Sequence, residues 1–308
     1  MSTEEGWHTV EDGQKLYTKT WKANGPAKAR VVFIHGFSDH CNTYIKFFDA
    51  LASHGIEIYT FDQRGWGRSV TKPSERGLTG PTTRVLDDIT SFMKTVIPSP
   101  IPLFLVGHSM GGGEVLYYAA RGPSEIRKHI RGYMLISPFV DFSPASKPSI
   151  ITVVLGRMVG KLFPKRQMKS HLDVKLVSRD PEVCKAFETD ELCHNMGTLE
   201  GLAGMLDRTM ELASGKIKIP DDAGEGGVTR IWIAHGDEDG ITDYYASKRF
   251  AETCVTAKDK DFKSYEGHFH RLHDEPEPYG PAFLKDMVDW ILARSVDPVQ
   301  SDVQRPRL

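Results

Sequence analysis

The stretch Leu103-Phe104-Leu105-Val106-Gly107-His108-Ser109-Met110-Gly111-Gly112-Gly113 decides the fold of this 308-residue chain. Its first four residues are all apolar, as expected of a strand in a parallel sheet that is covered on both faces. A G-x-S-x-G turn follows at once, and apolar residues at helical spacing run through 114–120. A strand, this turn and a helix in that order predict a nucleophile elbow, a sharp bend that exposes a reactive serine.

The predicted bend places demands on its glycines. Gly107 and Gly111 must lack side chains so that the strand and the helix can pass close to one another. The hydroxyl of Ser109 would then project above the sheet, and the first N–H groups of the helix would point at the same place. Such N–H groups can stabilise a developing oxyanion. We therefore predict that Ser109 is a nucleophile, and the alternative is an ordinary glycine-rich turn.

Strand-length apolar runs alternate with runs at helical spacing along most of the chain. This alternation is typical of the α/β class, a mostly parallel central sheet with helices on both faces. A turn at Asp12-Gly13 also predicts an antiparallel hairpin over 9–21 at the sheet edge. Besides 103–106, the predicted strands are 31–34, 56–61, 132–136, 230–234 and 262–265, and the main predicted helices are 44–51, 85–97 and 283–292.

The alternation stops between about residues 139 and 227. No strand is predicted there, and helical patterns such as the one over 199–210 take over. Loop-forming residues bracket the region on both sides. We therefore predict a core of 1–142 and 228–296, a helical cap (lid) of 143–227 inserted between two core strands, and a disordered tail of 297–308.

Composition excludes several classes of protein. Apolar residues make up 40% of the chain and charged residues 26%, the balance of a soluble globular protein. The net charge of −2 provides no basic field for nucleic acid. No apolar run approaches the ~20 residues that span a bilayer. The start of the chain lacks a secretion signal, so we expect a cytoplasmic protein that is not secreted. The last three residues, Pro306-Arg307-Leu308, resemble a peroxisomal targeting signal only weakly.

A serine hydroxyl needs a base to take its proton, and histidine is suited to that task. In chains with this elbow an acid and then a histidine follow the serine. Both kinds of residue follow predicted strands, at the carboxyl ends where an open α/β sheet places its site. The spacing leaves these alternatives open. The candidate acids are Asp237, Glu238, Asp239 and Asp243, and the candidate bases are His268, His270 and His273.

A metal site is not expected from this pattern. His270-x-x-His273 has the spacing of a ligand pair, but no third ligand pattern accompanies it. No pair of the four cysteines has C-x-x-C spacing either, so a zinc knuckle is not predicted.

Five motifs together resemble the monoglyceride lipase family of the α/β-hydrolase fold, in its fungal form. The resemblance extends over roughly residues 7–294 and is strong in the core strands and weak in the insertion. The motifs are His35-Gly36-Phe37-Ser38-Asp39-His40, Asp62-Gln63-Arg64-Gly65-Trp66-Gly67-Arg68-Ser69, Gly107-His108-Ser109-Met110-Gly111-Gly112, His235-Gly236-Asp237-Glu238-Asp239 and Tyr265-Glu266-Gly267-His268-Phe269-His270-Arg271-Leu272-His273.

The resemblance implies a role for individual residues. Matched motif by motif, it assigns a catalytic triad of Ser109, Asp239 and His270. The oxyanion hole would be the backbone N–H groups of Phe37 and Met110. Asp39 and His273 match positions that hold the glycerol end of the substrate. Family members carry an arginine four residues beyond that carboxylate, where this chain has Thr43. Neither a metal nor an organic cofactor is implied.

The implied activity is the cleavage of monoacylglycerol to a fatty acid and glycerol through an acyl-enzyme on Ser109. An apolar tunnel over 199–210 would take the acyl chain. The alternatives are a lysophospholipase, a thioesterase or a broad carboxylesterase of the same fold, and, more remotely, a non-catalytic ligand-binding protein.

The cap carries one more pattern. Apolar residues fill much of 149–163, and Arg157, Lys161, Lys165, Arg166 and Lys169 lie among and after them. Such a helix suits a lipid surface, where long basic side chains reach the headgroups. We therefore expect peripheral association with lipid droplets or membranes through the cap, and the alternative is a cap helix packed on its own domain.

Overall fold

The computed structural model describes residues 2–170 and 172–296. Eight strands form the central sheet and two short ones pair separately. The strands are β1 (Thr3–Thr9), β2 (Lys15–Trp21), β3 (Ala29–Ile34), β4 (Ile56–Phe61), β5 (Leu103–His108), β6 (Gly132–Ile136), β7 (Gln167–Lys169), β8 (Met196–Thr198), β9 (Arg230–Gly236) and β10 (Asp259–Tyr265).

The central sheet has the order β1-β2-β4-β3-β5-β6-β9-β10. From β4 to β10 all neighbouring strands are parallel, whereas β1 and β2 form an antiparallel hairpin that pairs antiparallel with β4. The predicted mostly parallel sheet with a hairpin at its edge is thus confirmed.

Helices cover both faces of the sheet, as predicted. They are α1 (Ile45–Ser53), α2 (Thr82–Met93), α3 (Met110–Arg121), α4 (Ser124–Arg127), α5 (Ile150–Leu162), α6 (Pro181–Thr189), α7 (Leu199–Ala213), α8 (Tyr244–Thr253) and α9 (Tyr279–Ala293). Two buried apolar clusters result, one containing side chains of α2, α3 and α8 and the other those of α1 and α9. Within β5, Leu103 and Leu105 join the first cluster and Phe104 and Val106 the second. This strand is apolar throughout because both of its faces are buried.

The edges of the sheet differ from the prediction. The hairpin begins at Thr3 rather than at residue 9, and β10 begins at Asp259 rather than at 262. Both are edge strands whose side chains are largely exposed. Polar residues are tolerated at such an edge, so the apolar pattern that marks a strand is absent there.

The insertion between β6 and β9, which we call the cap, contains α5, α6 and α7. The expectation that it has no strand is wrong, because β7 and β8 form an antiparallel pair within it. Each has three residues, too few for a two-residue periodicity to show. The predicted tail, 297–308, lies outside the described residues. In the part of the chain that the structure describes, no helix is both long and apolar enough to cross a membrane.

A buried ion pair connects the cap to the core. Glu114 of α3 accepts a hydrogen bond from Arg208 of α7, with 3.0 Å between Oε1 and Nη2. Arg208 also donates to the hydroxyl of Thr82 at the start of α2, at 3.2 Å. Burial raises the pKa of Glu114 to about 7 against the lowering effect of the Arg208 charge. The pair therefore ties the cap helix α7 to α3 at Glu114, five residues after Ser109 in the chain. Removing both charged groups from water costs free energy.

This raised pKa predicts a pH dependence of stability. The unfolded chain releases the Glu114 proton near pH 4.5 and the folded chain near pH 7, so the free energy of unfolding falls as pH rises between these values. The effect is about 1.4 kcal/mol per pH unit. Glu114 therefore lowers the free energy of unfolding by at most about 3 kcal/mol between pH 5 and pH 7. Glu114→Gln should remove this contribution, as measured by urea unfolding at both pH values.

The matched control is Glu225→Gln, which alters an ion pair with Arg131 whose glutamate is 42% exposed. This control should keep the wild-type pH dependence. The same slope in Glu114→Gln and in the wild type would contradict the assignment.

Candidate active site

The bend between β5 and α3 holds Ser109 in a strained backbone conformation. Its φ of 55° and ψ of −119° lie in a region that residues other than glycine seldom adopt. Three backbone hydrogen bonds maintain it. The N–H of Ser109 donates to the carbonyl of Ile136 at 3.0 Å, and its carbonyl accepts from Gly113 at 3.0 Å and Phe139 at 2.9 Å. The predicted strand–turn–helix elbow is therefore present, and β6 and the segment after it support it.

The two glycines of the elbow have no room for a side chain. A Cβ atom on Gly107 would overlap the carbonyl of Gly111, and one on Gly111 would overlap the carbonyl of Ile34. Both obstacles are backbone, so neither could move aside. The predicted requirement for glycine at these positions is confirmed.

The two predicted oxyanion donors lie beside the elbow. Phe37 follows β3, and Met110 is the first residue of α3, where the helix dipole favours negative charge. Both residues line the same cavity as Ser109. Neither backbone N–H has an acceptor among the described residues. The ring of Phe37 packs edge-on against Trp66, with 4.7 Å between centroids, which restrains the loop.

Of the candidate acids, Asp239 contacts a candidate base. Nδ1 of His270 donates to Oδ2 of Asp239 at 2.7 Å. Asp237 instead accepts from the N–H of Gly267 at 2.6 Å, in an exposed loop. Asp243 caps α8 with its side chain, and Glu238 is exposed. The two residues that pair, Asp239 and His270, come from the loops after β9 and β10, as the sheet topology predicts.

Asp239 is fully buried and is held by four further hydrogen bonds. Its Oδ1 accepts from the N–H groups of Ile241 at 2.8 Å and Thr242 at 3.0 Å. Its Oδ2 accepts from His235 Nε2 at 3.0 Å and from the Thr242 hydroxyl at 2.7 Å. Burial would raise the pKa of Asp239, but the charge of His270 and the hydrogen bonds from His235 and His270 outweigh it and hold that pKa well below its usual range. The carboxylate is therefore ionised and fixed in orientation.

Two of these supporting residues escaped the sequence reasoning. His235 belongs to one of the family motifs but has no role implied by it, and nothing in the local sequence marks Thr242 as a partner of Asp239. The position of His235 at the end of β9, four residues before the acid, is the signal that could have found it.

The other two candidate bases lie elsewhere. Nδ1 of His268 donates to the carbonyl of Glu266 at 2.9 Å. His273 is enclosed by the rings of Tyr44 and Phe47, with centroid distances of 4.9 and 5.1 Å. Burial lowers the pKa of His273 to about 3, so it is neutral. His273 is not part of the cavity lining, so the structure does not bring this expected glycerol contact to the site.

One cavity joins the reactive groups. Ser109, His270, Phe37, Met110 and Asp39 line a space of about 760 Å³, including its open mouth. Apolar side chains of core and cap supply much of the remaining wall: Phe139, Phe142, Leu172, Val177, Phe187, Met205 and Ile241. A second, mostly apolar cavity lies between α5 and α7, with a volume of about 540 Å³ when the space at its open mouth is included. The two share Phe142, Ser170 and Met205 in their walls, so the second cavity adjoins the first on the side of the cap.

Asp39 lies in the cavity wall, but Arg271 holds it. Nη1 of Arg271 donates to Oδ2 of Asp39 at 2.9 Å, and Nη2 donates to the carbonyl of Thr43 at 3.2 Å. Burial would raise the pKa of Asp39, but the charge of Arg271 holds it below its usual value. The guanidinium of Arg271, in the same loop as His270, thus reaches Thr43. At that position the resemblance implies an arginine. Sequence reasoning missed Arg271, because nothing in its immediate sequence shows which loop it meets.

The potential metal ligands do not include the His270–His273 pair, whose rings face different neighbours. One group within the described ranges, His40, Asp190 and Cys193, has ligand atoms within 4.8 Å of one another. Both ring nitrogens of His40 already have partners, with Nε2 donating to Asp190 at 2.9 Å and Nδ1 accepting from the N–H of Asn42 at 3.3 Å. We interpret this group as a hydrogen-bonded contact between cap and core.

This arrangement has the parts needed for acyl transfer. It offers a hydroxyl on a sharp bend, an imidazole oriented by an ionised carboxylate, and two unpaired N–H groups beside the hydroxyl. An acyl carbonyl in the cavity would meet a nucleophile on one side and oxyanion donors on the other.

Comparisons with known proteins agree with this chemistry. Residues 25–277 match the family described as serine aminopeptidase, S33. A putative monoglyceride lipase of Schizosaccharomyces pombe is 35% identical over 91% of this chain and 72% of its own length. The monoglyceride lipase of Saccharomyces cerevisiae is 28% identical over 91% of this chain and 90% of its own length.

Solved structures give the same result. The crystal structure of a soluble variant of the Saccharomyces cerevisiae monoglyceride lipase, in complex with a substrate analog, superposes with a TM-score of 0.84. It is 25% identical, and the match covers 96% of this chain and 97% of that one. A monoacylglycerol lipase of Paleococcus ferrophilus is 28% identical with a TM-score of 0.77, over 91% of this chain and 99% of that one. The chain therefore belongs to the monoglyceride lipase family of the α/β-hydrolase fold.

Proposed function

We propose that the protein is a serine hydrolase that cleaves monoacylglycerol to a free fatty acid and glycerol. The observation that carries this proposal is one cavity with the Ser109 elbow, His270 and two N–H donors in its wall and apolar side chains around them. A single acyl chain attached to a small polyol has the matching division into a long apolar part and a short polar end. The relatives named above, including the yeast enzyme with a substrate analog, support the same substrate class.

The proposed mechanism uses the side chains in named roles. Because Nδ1 of His270 donates to Asp239, Nε2 is the nitrogen that accepts the proton of Ser109 as its oxygen attacks the ester carbonyl. The N–H groups of Phe37 and Met110 stabilise the tetrahedral oxyanion, and Asp239 balances the charge of the imidazolium. That imidazolium protonates the departing glycerol, and water then releases the fatty acid from Ser109 by the same steps.

Two adjoining, largely apolar cavities offer space for the acyl chain. The second cavity is lined by Leu199, Leu202, Ala203, Met205 and Leu206 of α7, within the 199–210 tunnel that we expected. Burial of each CH₂ contributes about 0.8 kcal/mol, so a long chain supplies much of the binding free energy. This contribution is non-directional, so the polar end of the substrate must set the position of the ester.

The outer face of the cap supports a peripheral lipid contact. No residue of α5 is buried, although most of its residues are apolar. Ile150 is 78% exposed and Leu162 77% exposed. Lys161, Lys165 and Arg166 are exposed beside this face. We propose that α5 rests on a membrane or lipid-droplet surface, with its apolar side chains in the acyl layer and the cations at the headgroups. The second cavity lies directly beneath α5, where a lipid could enter.

The nucleophile assignment is tested by Ser109→Ala. We expect kcat on monoacylglycerol to fall by a factor on the order of 10⁶, because the hydroxyl that forms the acyl-enzyme is gone. Labelling by a fluorophosphonate probe should also disappear. Ser91→Ala, which removes a hydroxyl on α2 outside the cavity lining, is the control and should keep both. Retention of labelling in Ser109→Ala would reject the assignment.

The substrate class is tested by a hydrolysis panel. Glycerides with one, two and three identical acyl chains, the matching lysophosphatidylcholine and the matching acyl-CoA are compared through kcat/KM. We expect the monoacylglycerol to be the best substrate, because the site offers one apolar channel and one small polar end. A higher kcat/KM on lysophosphatidylcholine or acyl-CoA would instead identify a lysophospholipase or a thioesterase.

The lipid contact is tested by the double variant Ile151→Glu with Leu155→Glu. Both side chains are more than half exposed, so the fold should tolerate the changes. Each buried side chain of this size contributes about 1.5–3 kcal/mol to binding, so sedimentation with phosphatidylcholine–phosphatidylserine vesicles should weaken at least about tenfold. Tyr245→Glu on α8, at a residue 72% exposed, is the control and should bind as the wild type does. Unchanged binding of the double variant would remove α5 from the contact.

A further inference from the structure

We propose that Arg271 binds the leaving alcohol, by donating a hydrogen bond to a free hydroxyl of the polyol. The resemblance implies Asp39 and His273 at this end of the site and gives Arg271 no role. The inference rests on the proposed function and extends it to the residue that selects the alcohol.

Arg271 is placed to act on a bound substrate. It follows His270 directly in the chain, is buried and lines the same cavity as Ser109. Its backbone N–H donates to the carbonyl of Val177 in the cap at 2.9 Å. Its guanidinium lies over the ring of Tyr44, with 4.6 Å from Cζ to the centroid. Backbone and side chain are therefore both fixed before a substrate arrives.

One N–H group of the Arg271 guanidinium is free to bind a ligand. Nε donates to Asp274 at 2.6 Å, and Nη1 donates to Asp39 at 2.9 Å. Nη2 donates to the carbonyl and the hydroxyl of Thr43 at 3.2 and 3.3 Å. A guanidinium has five N–H groups, and these contacts use four. The second N–H of Nη1 has no acceptor within residues 2–170 and 172–296.

Asp39, in contrast, has no acceptor site to spare. Its Oδ1 accepts from the N–H of His40 at 2.8 Å and from the hydroxyl of Thr43. Its Oδ2 accepts from the hydroxyl of Tyr44 at 2.6 Å and from Arg271 at 2.9 Å. A carboxylate has about four such sites. Asp39 therefore positions Arg271, and a substrate hydroxyl would have to displace one of these four donors to reach it.

The imidazole of His108 lies beside this donor but is already occupied. Because the hydroxyl of Tyr44 donates to Asp39, its oxygen accepts from Nδ1 of His108 at 2.8 Å. The other ring nitrogen, Nε2, lies 3.4 Å from the carbonyl oxygen of His270. Burial holds the pKa of His108 well below its usual value, so the ring is neutral. The free N–H of Arg271 is therefore the group in this part of the cavity wall that can donate to a hydroxyl oxygen of the substrate.

The charges at this end favour a neutral alcohol. One guanidinium faces two carboxylates, the buried Asp39 and the partly buried Asp274. Burial would raise the pKa of Asp274, but Arg271 lowers it, so both acids are ionised. The two nearby imidazoles, His108 and His273, are neutral. The sum of these charges is not positive, and an anionic phosphate would meet repulsion where a hydroxyl meets a donor.

The test compares two esters of one short acyl chain in solution. Butyrylglycerol has a polyol leaving group, whereas p-nitrophenyl butyrate has no hydroxyl on its leaving group. For Arg271→Leu, we expect kcat/KM on butyrylglycerol to fall about 10–100-fold further than on the nitrophenyl ester, the effect of losing a hydrogen bond to a charged donor. Arg271→Lys should show the same selective loss, because an ammonium that pairs with Asp39 and Asp274 does not reproduce the fork.

The matched control is Arg179→Leu. Arg179 also ties the cap to the segment after His270, by donating from Nε to Glu275 at 2.7 Å, but it lies outside the cavity lining. This variant should affect the two esters equally. Thermal unfolding of each variant checks the fold, and Arg271→Lys serves as the test if Arg271→Leu does not fold.

Two results would overturn this inference and leave the proposed function standing. One is an equal loss on both esters in the Arg271 variants, which would make Arg271 a structural tie. The other is a wild-type preference for the phosphorylated analogue of the monoacylglycerol over the neutral one, which would contradict the charge argument. A wild type that cleaves the nitrophenyl ester but no monoacylglycerol would instead reject the proposed function, and this inference with it.

Discussion

The strained backbone of Ser109 is the constraint on which the site depends. A φ of 55° at a serine is unfavourable, and it persists because the surroundings leave no alternative. The N–H and carbonyl of Ser109 are bonded to Ile136, Gly113 and Phe139. The buried strand β5 enters the bend between β3 and β6, so relaxing the turn would disrupt the middle of the sheet. The core thereby supplies the free energy that holds the hydroxyl above the sheet.

The parallel sheet then determines where the partners of the serine come from. The six parallel strands β4, β3, β5, β6, β9 and β10 have their carboxyl ends on the same side of the sheet, so the loops after β3, β9 and β10 meet there. Those loops supply Phe37, Asp239 and His270. Hydrogen bonds between loops complete the site, with His235 and Thr242 holding the acid and Arg271 joining the histidine loop to Asp39. The polar end of the cavity is therefore a network in which each loop fixes another.

The cap adds what the core cannot provide. Its α7 forms one wall of the apolar space, its α5 presents an apolar face outward, and the pair of Glu114 with Arg208 ties it to the helix that follows the nucleophile. A buried ion pair is a costly attachment compared with apolar packing, but it has directional hydrogen bonds. It therefore fixes how α7 lies over the elbow, and with it the shape of the cavity.

The sequence by itself determined the α/β class, the elbow with its two required glycines and the helical nature of the insertion, because buried strands, tight turns and helix periods are local patterns. The spacing of residues also narrowed the acid and the base to a few positions in two loops, and the family resemblance pointed to Asp239 and His270 among them. Only the tertiary structure decided that Asp239 meets His270, that His273 turns into an aromatic cluster, and that Arg271 reaches Asp39 and Thr43. The bounds of the edge strands and the existence of the three-residue strands also escaped prediction, because these segments lack an apolar pattern. Side-chain direction and contacts between distant loops depend on packing, and packing leaves no mark in the spacing of residues.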